Sequence, residues 1–186
     1  MSAALPYLPA GVEPAAIRMV AVCEALTESG DDFLSAPRDS MFVSNLVAAF
    51  QSGGAEIVSV EDLVDLGVYL TVAVKTPKVT SAISTASINE HAPLLAAELD
   101  ALPNVRVVVL MGDVAIKAMN AVARQRRQGR VIPPGSTYKL RHGEYRYGDV
   151  RILPSYLPTG KSYLIERSKR EMIAEDLRLA LGLMTR

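Results

Sequence analysis

Four short apolar runs, each bounded by glycine or proline or ending on one, constrain the fold of this chain more than any other feature. Residues 17–23 (IRMVAVC) follow a Pro-Gly-rich entry, and residues 68–74 (VYLTVAV) lie between Gly67 and Pro77. Residues 105–111 (VRVVVLM) lie between Pro103 and Gly112, and residues 150–154 (VRILP) end on Pro154. Hydrophobicity that is continuous rather than alternating means a strand buried on both faces, the condition of a parallel sheet covered by helices. Helical patterns fill the intervals. Residues 40–51 carry Met41, Leu46, Val47 and Phe50 on roughly one face, closed by Gly53-Gly54. Ser59 is placed to cap a short helix with Glu61 and Asp62 in its first turn. Residues 88–102 repeat Leu94, Leu95, Leu99 and Leu102, residues 113–127 run Val114, Ile116, Ala118, Met119 and Val122, and residues 164–183 carry Ile165, Met172, Ile173, Leu177, Ala180 and Leu181. Strand–helix alternation predicts an α/β three-layer sandwich around a central four-stranded parallel sheet, in one domain over residues 1–186. The irregular stretch is 130–148, where Pro133-Pro134-Gly135 precedes a polar alternation compatible with a hairpin.

A chain of 186 residues buries a sizeable core without disulfides or metals. It has no apolar run near the ~20 residues of a membrane helix. Its N-terminal sequence lacks a basic segment followed by an apolar one, so a secretory signal is not expected. Cys23 is a lone cysteine, and His91 and His142 have no neighbouring imidazole, so neither a disulfide nor a metal cluster is expected. These features predict a cytoplasmic protein without cofactor, metal or membrane. The net charge of zero conceals an asymmetry. Residues 1–114 hold five basic and fourteen acidic side chains, whereas residues 115–186 hold fifteen basic and six acidic. Such a split is compatible with a polyanion-facing surface, and equally with halves that neutralise each other on packing.

In open parallel sheets, ligands bind beyond the carboxyl ends of the strands. That rule selects residues 24–33, 75–78, 112–113 and 155–162. The same segments carry motifs. Cys23-Glu24-Ala25-Leu26 is similar to a GEAPG-type loop, and Phe33 follows nine residues after Glu24. The strand from Val68 to Lys75 is similar to VYITNVVK, the turn from Val109 to Ala115 to an ALG-x-x-A turn, and the loop from Leu153 to Thr159 to LPTYHPS. In this order and spacing, over residues 17–180, they resemble the uracil-DNA glycosylase superfamily, closest to its thermostable bacterial and archaeal branch. The resemblance implies that superfamily's fold, a DNA partner and a base flipped out of the stack, with Phe33 where the family places an aromatic ring that stacks on the extruded base. The departures are specific. The base-reading Asn of the strand motif is Val72, the His that stabilises the departing base is Leu157, and the four iron–sulfur cysteines are missing.

A glycosylase needs negative charge or an oriented water near the sugar and a hydrogen-bond donor near the leaving base. Glu24 is the candidate for the first role; an acid capping a helix or pairing with a loop lysine is the alternative. Ala25, Phe33, Val72, Lys75, Ser155, Tyr156 and Leu157 are the candidate substrate contacts, although Phe33 could equally be core. Lys75 and Lys78 flank Thr76-Pro77, where either could hold a phosphate or supply the donor that Val72 lacks; a solvated strand end is the alternative. Thr71 points away from Val72 in a regular strand. Lys161 and Ser162 lie in a GKS sequence that has Ser155 where a P-loop would have its upstream glycine, so a nucleoside triphosphatase is excluded. Lys161, Ser162, Arg167, Lys169 and Arg170 are instead candidate nucleic-acid contacts at the start of the last helix, where the dipole gives no reason for basic residues. Arg124, Arg126, Arg127 and Arg130, at a helix end, have that reason. The expected function is a DNA glycosylase-like hydrolase acting on a damaged or deaminated base. The alternatives are a non-catalytic nucleic-acid-binding protein of the same fold and a hydrolase of nucleosides or other small molecules.

Overall fold

The computed structural model describes residues 5–80 and 82–186, with backbone alone for 160–162. After a 3-10 turn at Pro14–Ala16, strand β1 (Met19–Leu26) leads through a loop to helix α1 (Met41–Ser52) and the short α2 (Val60–Asp65). Strand β2 (Val68–Pro77) is followed by α3 (Thr85–Asp100), and β3 (Val107–Met111) by α4 (Asp113–Gln125). A single turn of helix, α5 (Thr137–Leu140), precedes the hairpin β4 (Tyr145–Tyr147) and β5 (Val150–Ser155), and α6 (Gly160–Ile165) and α7 (Arg167–Met184) complete the chain.

The strands form one five-stranded sheet in the order β2-β1-β3-β5-β4. The four expected strands are its parallel members, with Ala21 paired to both Leu70 and Val109, and Val109 in turn to Leu153. The fifth, β4, is antiparallel to β5, with Tyr147 opposite Val150 across a turn containing Gly148 at φ 58°. It is a polar edge strand, Tyr-Arg-Tyr, and so lacks the apolar signature of the others.

Burial on both faces follows from strand parity. In β3, Val107, Val109 and Met111 join the core under α1 and α7, while Val108 and Leu110 join the core under α3 and α4. Fully burying one such side chain contributes ~1.5–3 kcal/mol. The cap expected at Ser59 is present, and two serines not foreseen as caps act likewise. Ser40 accepts from the Val43 amide, Ser84 from the Ser87 amide, and Ser59 forms a reciprocal capping box with Asp62. Two expected faces shift. The buried stripe of α1 is Val43, Asn45, Leu46, Ala49 and Phe50, with Met41 exposed, and Leu94 of α3 is exposed beside buried Leu95. The single helix expected over 164–183 is broken at Glu166, whose ψ of 88° is not helical. Pro93 sits inside α3 and cannot donate to the carbonyl of Asn89; Gln125 of α4 donates to that oxygen at 3.0 Å instead.

The chain passes from β1 outward to β2, then returns to the far side of β1 for β3. Such a reversal opens a crevice between the carboxyl ends of β1 and β3, the place where this architecture binds ligands.

Candidate functional site

A cavity of about 410 Å³ lies over that crevice. It is lined by Glu24 and Ala25 from β1, Thr27 and Glu28 from the following loop, Phe42 from α1, Lys78 beyond β2, and Leu157 and Thr159 beyond β5. The volume is within the ~300–1,000 Å³ of small-molecule sites.

Three backbone features draw the walls together. The amide of Gly112 donates to the Ser155 carbonyl at 3.0 Å, tying the end of β3 to the end of β5. Gly112 itself has φ 102°, and a methyl group there would lie 3.3 Å from Glu24 Oε1 and 3.4 Å from Leu157 Cβ. Glycine is thus required for the turn and for the close approach of carboxylate and leucine. The β1–β2 register shifts after Ala25, so that Leu26 pairs with Pro77, and the Lys78 amide donates to the Leu26 carbonyl. This swings Lys78 over the end of β1, where its Nζ lies 3.0 Å from Glu24 Oε2. The Glu24 side chain is 20% exposed and that of Lys78 37%, so the pair faces the cleft and can meet a ligand.

Of the residues expected to touch substrate, Ala25 and Leu157 line this cavity with Glu24, and the others lie elsewhere. Phe33 is buried and stacks on Phe42, ring centroids 4.5 Å apart at 13°. Phe42 is the ring at the cleft, and only its place in the first turn of α1 could have signalled it. Val72 is fully packed in the core beneath α1 and α7. Lys75 points to the opposite face, as does Thr71. Its Nζ pairs with Glu98 of α3 at 2.6 Å, donates to Thr71 Oγ1 at 2.7 Å and lies over the Tyr7 ring. Burial pushes the Glu98 carboxyl up and the Lys75 amine down, and each opposes that shift in the other. Ser155 is buried and donates to Asp176 at 2.6 Å; Asp176 in turn accepts from Arg141 Nε at 3.1 Å. Tyr156 is half-buried, with Lys169 Nζ 5.4 Å from its ring centroid, and burial raises its phenol pKa.

The basic residues separate likewise. Arg167 is exposed and pairs with Glu171 one turn on. Arg170 donates to the carbonyls of Tyr163 and Leu164 and so closes the end of α6. The side chains of Lys161 and Ser162 lie outside the described residues. Arg126 is bound to Asp100, and Arg124 donates to Asn89. Among the described residues no group of three or more His, Cys, Asp or Glu is placed to hold a metal ion, and no helix is long and apolar enough to cross a membrane. Cys23 is buried against Met111, and burial pushes its thiol pKa up, away from the thiolate.

The cleft therefore offers a carboxylate, an amine, an aromatic ring and an apolar wall. A model of the uracil DNA glycosylase superfamily matches residues 26–178. No curated protein matches the chain.

Proposed function

The chain belongs to the uracil DNA glycosylase superfamily, and we propose that it is a DNA glycosylase-like protein that takes an extruded, damaged or deaminated base into the cleft between β1 and β3. The observation that carries this reading is the convergence of Glu24, Gly112 and Leu157, with Oε1 and Cβ each within 3.4 Å of the position a Gly112 methyl would occupy. Breaking the glycosidic bond puts positive character on the sugar, which the Glu24 carboxylate stabilises directly or through a water it orients. Phe42, backed by Phe33, offers a face for the base; such stacking is worth ~1–3 kcal/mol. Leu157 cannot donate a hydrogen bond to the departing base, and the loss of one such donor costs ~3–4 kcal/mol. Lys78 is the donor within reach of that position. Arg167 and Lys169, at the start of α7, lie on the same edge of the sheet and hold the phosphate backbone.

The test is incubation with duplex and single-stranded oligonucleotides carrying uracil, hypoxanthine or xanthine, followed by alkaline cleavage at abasic sites. Excision of one of these bases is expected, slowed by ~10²-fold or more in Glu24→Gln. No abasic product at stoichiometric enzyme refutes catalysis. One observation favours a second reading, a member that binds nucleic acid without cleaving it: the Glu24 carboxylate is already neutralised by Lys78 at 3.0 Å. That reading predicts salt-sensitive binding without product. Neither binding nor excision would favour a nucleoside or small-molecule substrate.

A further inference from the structure

We propose a second chemical step for the same cleft: Lys78 is an amine nucleophile that forms an imine with the aldehyde of an abasic sugar. The inference rests on the proposed glycosylase reading, because base loss leaves at C1′ a hemiacetal in equilibrium with an open-chain aldehyde. It also rests on the geometry of the Lys78–Glu24 pair. The Lys78 Nζ is 3.0 Å from Glu24 Oε2, and both line the cavity that would hold the sugar's reacting carbon. Lysine amines add to carbonyl substrates when a neighbouring group takes their proton, and here that group is a carboxylate within hydrogen-bond reach. Lys75, at the end of the same strand, is sequestered by Glu98 and Thr71 behind Tyr7. Leu157 supplies no competing acid or base.

The step balances. Glu24 takes a proton from the Lys78 ammonium, and the freed Nζ lone pair attacks C1′, forming the C–N bond while the carbonyl π electrons move to oxygen. Proton transfer from nitrogen to that oxygen gives the carbinolamine. Glu24 then returns its proton to the hydroxyl, the C1′–O bond breaks, water leaves, and a protonated imine joins Nζ to C1′. Removal of a C2′ proton by the regenerated carboxylate would expel the 3′ phosphate and cut the strand, with no oxidant or reductant required.

The experiment uses the full chain and a duplex whose abasic site has been prepared beforehand, so its outcome does not depend on base excision by this protein. Borohydride reduces an imine to a stable secondary amine, and the adduct is read as a shifted band on a denaturing gel and mapped by peptide mass. An adduct at Lys78 is expected, reduced at least tenfold in Lys78→Arg and unchanged in Lys117→Arg, an exposed amine on α4 that does not line the cavity. Absence of an adduct, its persistence in Lys78→Arg, or its mapping to another lysine overturns the proposal. If the base is excised but no adduct forms, only this inference fails. If the adduct forms but no base is excised, the glycosylase reading fails and the imine chemistry stands alone.

Discussion

Lys75 and Glu98 hold opposite charges 2.6 Å apart with side chains only 11% and 2% exposed. Their Coulomb attraction works against the cost of removing both from water, so the pair contributes little net stability, yet removing one partner leaves an uncompensated buried charge. Lys75→Met is expected to destabilise by ~3–5 kcal/mol in urea unfolding, and Lys75→Met with Glu98→Leu to recover most of that loss. A double variant as unstable as the single one would show that packing, not charge, governs the site. This residue also shows what the sequence could convey. Lys75 and Lys78 read alike as basic residues beyond an apolar run, and their separation depends on parity and on a partner from another element. Lys75 shares a strand face with Thr71 and Ala73, hence meets Glu98, while Lys78 lies past the strand and reaches Glu24 only because the register shifts after Ala25. The same holds for Phe33 and Phe42, whose stack orders one ring behind the other through a contact between a loop and a helix.

Elements were more legible than residues, because their signals are local. The four parallel strands are apolar on both faces and stand out by composition, whereas β4 is an edge with Tyr145 and Tyr147 on one side and Arg146 on the other, and reads as a polar loop. The start of α2 was legible through Ser59. In α2 the Asp62 carboxylate accepts from the amides of Val58 and Ser59, both at 2.8 Å, and those bonds hold its carboxyl below the usual aspartate range. A depressed carboxyl contributes stability that is fully present above the unfolded value, ~3.9, and lost as pH falls through the folded value. Asp62→Asn is therefore expected to melt below the wild type at pH 7, with the gap closing on acidification toward pH 2; a gap constant with pH would assign the effect to something other than the carboxylate. The β3–α4 turn carries a stronger constraint. At φ 102°, alanine in place of Gly112 is strained by ~1–3 kcal/mol. Its methyl would also press on Glu24 and Leu157, so Gly112→Ala should lower both melting temperature and affinity for abasic or base-modified DNA. Loss of stability with intact binding would remove the turn from the site.

At the scale of the whole molecule, the charge split between residues 1–114 and 115–186 does not map onto one surface. Arg141 is consumed inside the fold by Asp176 and Glu175, and Arg126 by Asp100. Arg127 lies past the end of α4, whose axis runs away from the cleft, whereas Arg130 lies on the return of the chain along that helix, where the next two amides donate to Asn120. Among the described residues, the candidate phosphate contacts at the cleft edge reduce to Arg167 and Lys169, beside a rim that also holds the acid Glu28. Each phosphate neutralised on duplex DNA contributes about −0.9 to the slope of log affinity against log salt. Replacing both residues, Arg167→Gln with Lys169→Gln, is expected to weaken duplex binding and make that slope shallower by about 2, measured by fluorescence anisotropy over a salt series. Arg127→Gln should leave it nearly unchanged, because a duplex seated on the cleft does not reach the far end of α4. The reverse result would put the DNA on the amino edge of the sheet, where no strand carboxyl end could present Glu24 to a flipped base.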